Sequence, residues 1–162
     1  MKKRLLFIML PLLAGLFNSC SEEDAALQFE TESVSDSKNV QIDYHSPDPG
    51  SVAKQYYITA NSKASEIKIK CKSHNAIYFD SNDPGLELDP AVRTSQTGHW
   101  TARVSSPNTI TFTFNRVNTS AETENFASGW IMVSANGDDE EKASTFFSIT
   151  RLLRSDDPLE EI

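Results

Sequence analysis

The densest group of potential metal ligands in this chain lies between residues 80 and 89. Five carboxylate or amide side chains fall within these ten residues: Asp80, Asn82, Asp83, Glu87 and Asp89. Hard cations such as Ca²⁺ prefer oxygen ligands of this kind. The spacing is not that of an EF-hand loop, because Pro84 and Ala91 stand at its fifth and twelfth positions. We favour the alternative, a loop rich in Asp, Asn and Pro, and predict no metal site.

Aromatic side chains offer a second kind of chemistry, stacking on the rings of a sugar. The candidates are Trp100, Trp130, Tyr56, Tyr57 and Tyr78. For each of them, packing in the core is the favoured interpretation, since aromatic residues dominate the cores of β-sandwiches. If a ligand binds, we expect it at the passage 80–98 and the neighbouring tryptophan. The residues expected to contact it are Trp100, Tyr78, Asp80, Asn82 and Asp83.

The residue types of an enzyme do not come together in the sequence. His45, His74 and His99 lie far apart, without a Cys or a carboxylate at zinc-ligand spacing. No serine motif such as Gly-x-Ser-x-Gly occurs, and the chain has six glycines, too few for a loop that cradles phosphate. The sequence therefore predicts a protein without catalytic activity that needs no cofactor.

The N-terminal segment has the three regions of an export signal. Basic residues at 2–4 precede an apolar run at 5–17, which is shorter than the roughly 20 residues that a membrane-spanning helix needs. A basic head, a short apolar stretch and a small residue at the exit are typical of a secretory signal peptide. We therefore exclude residues 1–19 from the folded domain.

The exit of this leader resembles the processing site of bacterial lipoproteins, in which a small residue precedes the cysteine that receives the lipid. Ser19-Cys20 matches that pattern, and the acidic block at 21–24 resembles the tag that carries lipoproteins of Bacteroidetes to the outer face of the outer membrane. The resemblance implies a lipid anchor on Cys20 and a cell-surface location. The alternative is an ordinary signal peptide with a chance cysteine.

The chain that follows the leader is strongly acidic. Its 143 residues carry 12 Lys and Arg against 23 Asp and Glu, a formal net charge of −11. Such a charge disfavours nucleic acid and anionic lipid as partners, because phosphate binding needs clustered basic residues. The length predicts one domain. With Cys20 lipidated, Cys71 has no intramolecular partner and is expected to be a buried thiol.

Hydrophobic alternation predicts an all-β fold with seven or eight strands. The strongest pattern is 66–72, where Ile67, Ile69 and Cys71 alternate with charged residues. The further strands are predicted at 40–44, 56–59, 76–79, 99–104, 109–114, 130–135 and 145–152. Short strands separated by turn signals indicate an antiparallel sandwich of immunoglobulin-like type.

Segments outside these strands complete the predicted organisation. Residues 20–39 are predicted to form an acidic tether, although a strand could begin near Leu27, and 40–153 to form the sandwich. Residues 154–162 are charged and are predicted to be disordered. A capping box from Thr119 to Glu122 predicts one short helical turn before the strand at 130–135.

Two stretches resemble the BACON-type modules of Bacteroidetes. The first runs from Gln55 to Phe79 and contains an alternating strand followed by Asn75; the second runs from Trp130 to Leu152. The resemblance implies an immunoglobulin-like sandwich. With the leader, it leads us to expect a surface lipoprotein that binds glycan or protein as an accessory module. The alternative is a structural or assembly subunit of a cell-surface complex.

The lipid anchor can be tested by metabolic labelling with a clickable fatty acid. The wild-type chain should be labelled and the Cys20→Ala variant should not, because the thioether to the lipid needs that sulfur. At about 0.8 kcal/mol per buried CH₂ group, two or three acyl chains hold a protein stably at a membrane. Equal labelling of both chains would contradict the assignment.

Overall fold

The computed structural model describes residues 27–45, 55–80, 91–136 and 142–159. Within these ranges the chain forms ten β-strands and no helix, so none of its described elements is a helix able to span a bilayer. The strands are β1 (Phe29–Val34), β2 (Val40–His45), β3 (Gln55–Ala60), β4 (Glu66–Cys71), β5 (Tyr78–Phe79), β6 (Val92–Thr94), β7 (Trp100–Ser106), β8 (Thr109–Phe114), β9 (Phe126–Asn136) and β10 (Lys142–Leu152).

The strands form two five-stranded sheets that pack face to face as a β-sandwich. The first sheet has the order β1-β4-β8-β7-β6 and the second the order β2-β3-β10-β9-β5. The predicted all-β sandwich is thus confirmed, including the β7–β8 and β9–β10 hairpins. The second sheet is mixed, because β10 pairs with β3 in parallel where we expected antiparallel pairing throughout. The immunoglobulin-like type stays a prediction.

The alternating strand at 66–71 shows how the sequence builds the core. Ile67, Ile69 and Cys71 are at most 1% exposed, while the charged residues between them face outward. Across the ladder, Ile67 lies opposite Phe112 and Ile69 opposite Ile110 on β8. Side chains of a strand point alternately to opposite faces, so one apolar face of each strand closes against the other sheet.

An aromatic cluster around Phe147 joins the two sheets at the centre of the core. Phe147 is fully buried, stacks on Tyr56 of its own sheet at 5.1 Å between ring centroids, and contacts Phe29 and Phe112 of the other sheet at 5.0 and 5.8 Å. Burial raises the pKa of Tyr56, whose hydroxyl accepts a hydrogen bond from the backbone N–H of Phe29 at 2.9 Å.

The tether predicted at 20–39 is wrong for its second half. Leu27 is fully buried and β1 pairs with β4, so residues from Leu27 onward belong to the sandwich. The segment reads as polar because β1 is an edge strand with an exposed outer face that carries Glu30 and Glu32. Charged side chains on an edge strand discourage pairing with other chains.

The tail predicted to be disordered is docked on the sandwich as far as Leu159. The carbonyl of Ser155 accepts a hydrogen bond from the N–H of Ser62 at 2.9 Å, and the N–H of Leu159 donates to the carbonyl of Lys38 at 2.6 Å. Backbone hydrogen bonds to two separate turns hold a charged segment that has little apolar surface of its own. The last three residues lie outside the described part of the chain.

The turn predicted from Thr119 is present but does not become a helix. The carbonyl of Asn118 accepts hydrogen bonds from the N–H groups of Ala121 and Glu122, which closes one turn without starting a helix. The chain then enters β9 at Phe126, four residues before the predicted strand. Pairing of β9 with β10 along eleven residues outweighs a local capping signal, since a one-turn helix has an unfavourable nucleus. A further strand, β6, lies within residues 80–98, where we predicted no strand.

Arg151 ends the inner face of β10 with a fully buried side chain. Its Nη1 donates to the carbonyl of Asn61, and its Nη2 donates to the carbonyls of Ser62 and Asn115, each at 3.0 Å. The guanidinium carbon lies 5.2 Å from the ring centroid of Phe114. Burial lowers the pKa of Arg151 to about 10, so the group stays protonated at neutral pH and carbonyl dipoles stabilise its charge.

The predicted burial of Cys71 is confirmed, and its reactivity follows from it. Cys71 is a free cysteine that is 1% exposed. In a Cys20→Ala background, maleimide should therefore react slowly with the folded chain and rapidly in urea, since a buried apolar site excludes the reagent. Rapid labelling without urea, measured by mass spectrometry, would show that the inner face of β4 opens readily.

Candidate binding surface

The predicted ligand residue Trp100 lies in the core. Its side chain is 3% exposed and extends from β7 across the sandwich to the backbone of Gly129 on β9. A Cβ atom at position 129 would stand 2.7 Å from Cζ2 of Trp100. The absence of a side chain at Gly129 therefore makes room for the indole ring between the two sheets.

Asp80 and Tyr78, the other predicted ligand residues within the described ranges, do not join Trp100 in one site. Asp80 is 2% exposed; its carboxylate accepts a hydrogen bond from the Ser134 hydroxyl at 3.2 Å, and its carbonyl accepts one from Arg93 at 3.3 Å. Tyr78 is 37% exposed and donates to the Asn136 side chain at 3.0 Å. Asp80 thus stabilises the junction of β5 with β6 and β9.

Asn82 and Asp83, which belong to the same acidic cluster, lie outside the described residues, as does Cys20, the predicted lipidation site. The described ranges contain no group of three or more His, Cys, Asp or Glu side chains that could hold a metal ion.

Among the described residues, two adjoining aromatic side chains lie instead on the outer face of the second sheet. Trp130 of β9 is 43% exposed and packs edge-on against Phe146 of β10, with 5.6 Å between ring centroids. Across the sheet, Trp130 pairs with Ser148 of β10, and Ser148 pairs with Tyr57 of β3. Together with Gln55, these residues line an open hollow of about 350 Å³, which we call the outer hollow.

Polar contacts orient the side chains of the outer hollow. The Tyr57 hydroxyl donates to Oε1 of Gln55 at 2.7 Å, and the ring of His45 on β2 meets the Tyr57 ring edge-on at 5.3 Å. The outer hollow therefore combines aromatic rings with amide and hydroxyl groups. None of the described residues that line it carries a charge.

A second depression opens at the side of the sandwich, where the two sheets diverge. We call it the lateral cleft. It measures about 480 Å³ and is lined mainly by residues 93–97 of the first sheet and residues 126–131 of the second, with Trp100 at its buried end. It opens here because β5 pairs with only two residues of β9, Val133 and Ser134. Its volume falls within the roughly 300–1,000 Å³ typical of ligand sites.

A tight turn forms one wall of the lateral cleft. Gly98 has a φ of +72°, a left-handed conformation that glycine adopts without strain, and its N–H donates to the carbonyl of Ser95 at 2.9 Å. Beyond the turn, Nε2 of His99 lies 4.0 Å from Oε1 of Glu122, which makes an ion pair when the histidine is protonated. On the opposite rim, Phe126 is 57% exposed.

The predicted packing of Trp130 in the core is wrong, because its side chain is 43% exposed. The run 129–133 is Gly-Trp-Ile-Met-Val, in which apolar residues do not alternate with polar ones. Periodicity therefore could not assign Trp130 to a face. The available signal was the spacing along the strand. Val133 and Ala135 face the core, and residue 130 lies an odd number of positions from both, so it faces outward.

Comparison with known proteins gives this chain no relative: no family model, no curated protein and no solved structure matches it. The function must therefore be argued from the surfaces themselves.

The contact between Trp100 and Gly129 can be tested by adding one methyl group. Gly129→Ala should lower the free energy of unfolding by about 1–3 kcal/mol, because the indole ring must shift in a packed core. Ser128→Ala, on the exposed neighbour, should change it by less than about 0.5 kcal/mol.

Urea unfolding measures both changes. In a Trp100→Phe background the smaller ring should reduce the effect of Gly129→Ala, a coupling that a double-mutant cycle detects. An equal effect in both backgrounds would place the clash elsewhere.

Proposed function

We propose that this chain is a non-catalytic lipoprotein of the outer membrane that binds glycan at the cell surface through its outer hollow. The observation that carries the proposal is the exposure of Trp130 beside Phe146 and Tyr57 on the outer face of the second sheet. The anchor and the location rest on the leader and Cys20. The absence of catalysis rests on the lack of a catalytic motif in the sequence.

Exposed aromatic rings are what makes a glycan a suitable ligand. A large aromatic side chain left in water keeps an unfavourable apolar surface, at about 25 cal/mol per Å², and a group of such side chains on a soluble domain often marks a binding site. The apolar C–H faces of a sugar ring can cover Trp130 and Tyr57, while its hydroxyls reach Gln55 and Ser148.

Charge also supports a neutral ligand. The outer hollow is lined by uncharged side chains, and the chain beyond the leader carries a net charge of −11. An anionic polymer would approach against this field without finding a basic side chain in the hollow. Nucleic acid is therefore a poor candidate.

A second candidate function is assembly into a larger surface complex by strand pairing. Residues 126–131 of β9 have no strand neighbour on the side away from β10 among the described residues, and none of them is charged. An edge of this kind can accept a strand from a partner. The edge strand β1, in contrast, carries Glu30 and Glu32.

The proposal is tested with residues 20–162 carrying Cys20→Ala, which retain every described strand. This protein should give signal on a glycan array. Trp130→Ala should weaken binding roughly 30-fold, the equivalent of about 2 kcal/mol for a central aromatic contact. Tyr44→Ala is the matched control, because Tyr44 is 45% exposed but lies outside both depressions.

A pull-down from outer-membrane extract separates the two candidates. A blank array together with a stoichiometric protein partner would select the assembly function. Turnover of any polysaccharide or peptide by the purified chain would contradict the proposed lack of catalysis.

A further inference from the structure

Trp130 lines both the outer hollow and the lateral cleft. It therefore stands on the ridge where the outer face of the second sheet turns into the side of the sandwich. The two depressions therefore adjoin at this side chain. From this juxtaposition, and resting on the proposed function, we infer that the ligand is an uncharged polysaccharide chain that crosses Trp130, with successive sugar units in the outer hollow and the lateral cleft.

The outer hollow gives the first half of this path. Trp130, Ser148 and Tyr57 are register partners on three adjacent strands. Neighbouring strands lie about 4.8 Å apart, so Trp130 and Tyr57 are separated by about 10 Å. This distance is about two repeats of a linked pyranose chain, so the first and third of three successive rings would lie near the two aromatic side chains.

The lateral cleft gives the second half. Along β9, the outward-facing residues that follow Trp130 towards the start of the strand are Ser128 and Phe126, and both line the cleft. Outward-facing residues recur every two positions, about 7 Å apart. Across the cleft, the turn after β6 supplies the amide of Gln96 and the hydroxyl of Thr97. These groups continue the same mixture of aromatic, amide and hydroxyl side chains.

The charges around the cleft favour a neutral chain over an acidic one. Its described ionisable residues are Arg93, His99, Glu122 and Glu124. The side chain of Arg93 is 2% exposed and lies over the Phe79 ring at 5.4 Å, so it faces the core. The carboxylates near the mouth, one of them beside His99, would repel a uronic-acid polymer.

Both depressions are open at their sides, and this favours binding of an internal segment of the polysaccharide over binding of its end. A pocket that encloses one sugar would be closed around it, whereas the outer hollow and the lateral cleft are each open to solvent. A ligand confined to one depression would leave either Tyr57 or Phe126 uncovered. A chain over the ridge covers these side chains together with Trp130.

The test measures affinity against chain length. The Cys20→Ala chain, residues 20–162, is titrated calorimetrically with soluble neutral glucans, mannans and xylans, and with their oligosaccharides from one to eight units. Polygalacturonate serves as the acidic comparison. We expect affinity for one neutral type to rise with length until both depressions are filled, and polygalacturonate not to bind.

Three variants test where the polysaccharide binds. Tyr57→Ala removes a contact in the outer hollow, Phe126→Ala with Gln96→Ala removes contacts in the lateral cleft, and Trp130→Ala removes the shared residue. The first two should each weaken binding of the longest oligosaccharide about tenfold. They should also reduce the increase of affinity with oligosaccharide length. Trp130→Ala should weaken it more than either. Tyr44→Ala should leave it unchanged, and urea midpoints verify that each variant is folded.

The outcomes distinguish this inference from the proposed function. If Tyr57→Ala and Trp130→Ala weaken binding while the cleft double variant does not, glycan binding stands but the chain-crossing path is overturned. The same holds if a monosaccharide binds as tightly as the longest oligosaccharide. If no polysaccharide binds, and a membrane protein is captured instead in a Phe126-dependent manner, both are overturned in favour of strand pairing on β9.

Discussion

The constraint on which the rest of the structure depends is the burial of Phe147 between the two sheets. Its ring contacts aromatic side chains of β1, β3 and β8, and so joins strands from both sheets. Because side chains alternate along a strand, an inward Phe147 requires an outward Phe146. The β9–β10 ladder, in which Ile131 faces inward opposite Phe147, then requires an outward Trp130. The candidate binding face is thus a consequence of the core.

The lateral cleft depends on a second packing contact. Trp100 reaches from the first sheet to Gly129 of the second, and the short β5 covers only the far part of β9. The indole ring of Trp100 therefore fills the interior at this side of the sandwich, and the space between that ring and the solvent stays open as the lateral cleft. Trp100, which the sequence suggested as a ligand residue, contributes by closing the buried end of the cleft.

The C-terminal end of the described chain is fastened to the turns at Asn39 and Asn61 by polar contacts. The side-chain amide of Asn61 donates to Asn39 and to the carbonyl of Asp157, each at 2.8 Å, and Arg151 donates to the carbonyls of the same turn. Buried polar groups of this kind need partners with fixed positions. They hold charged segments that carry no hydrophobic signal of their own.

The sequence by itself determined the features that depend on local order. Alternation located β4 and β8 and placed Cys71 in the core, and turn residues separated the hairpins. The leader, with Cys20 after it, predicts an anchor without reference to any fold. These signals suffice because the face that a residue occupies follows from its immediate neighbours when apolar and polar residues alternate.

Only the tertiary structure decided the features that depend on distant pairing. The polar segment of β1 becomes a strand because β4 offers it an edge, and β10 pairs in parallel with β3, some 90 residues away in sequence. The exposure of Trp130 and the burial of Trp100 follow from register and from the space at Gly129. Apart from the parity that relates Trp130 to Val133 and Ala135, no local pattern encodes these, because the free energy of a long-range pair is set by the surface that both partners bury together.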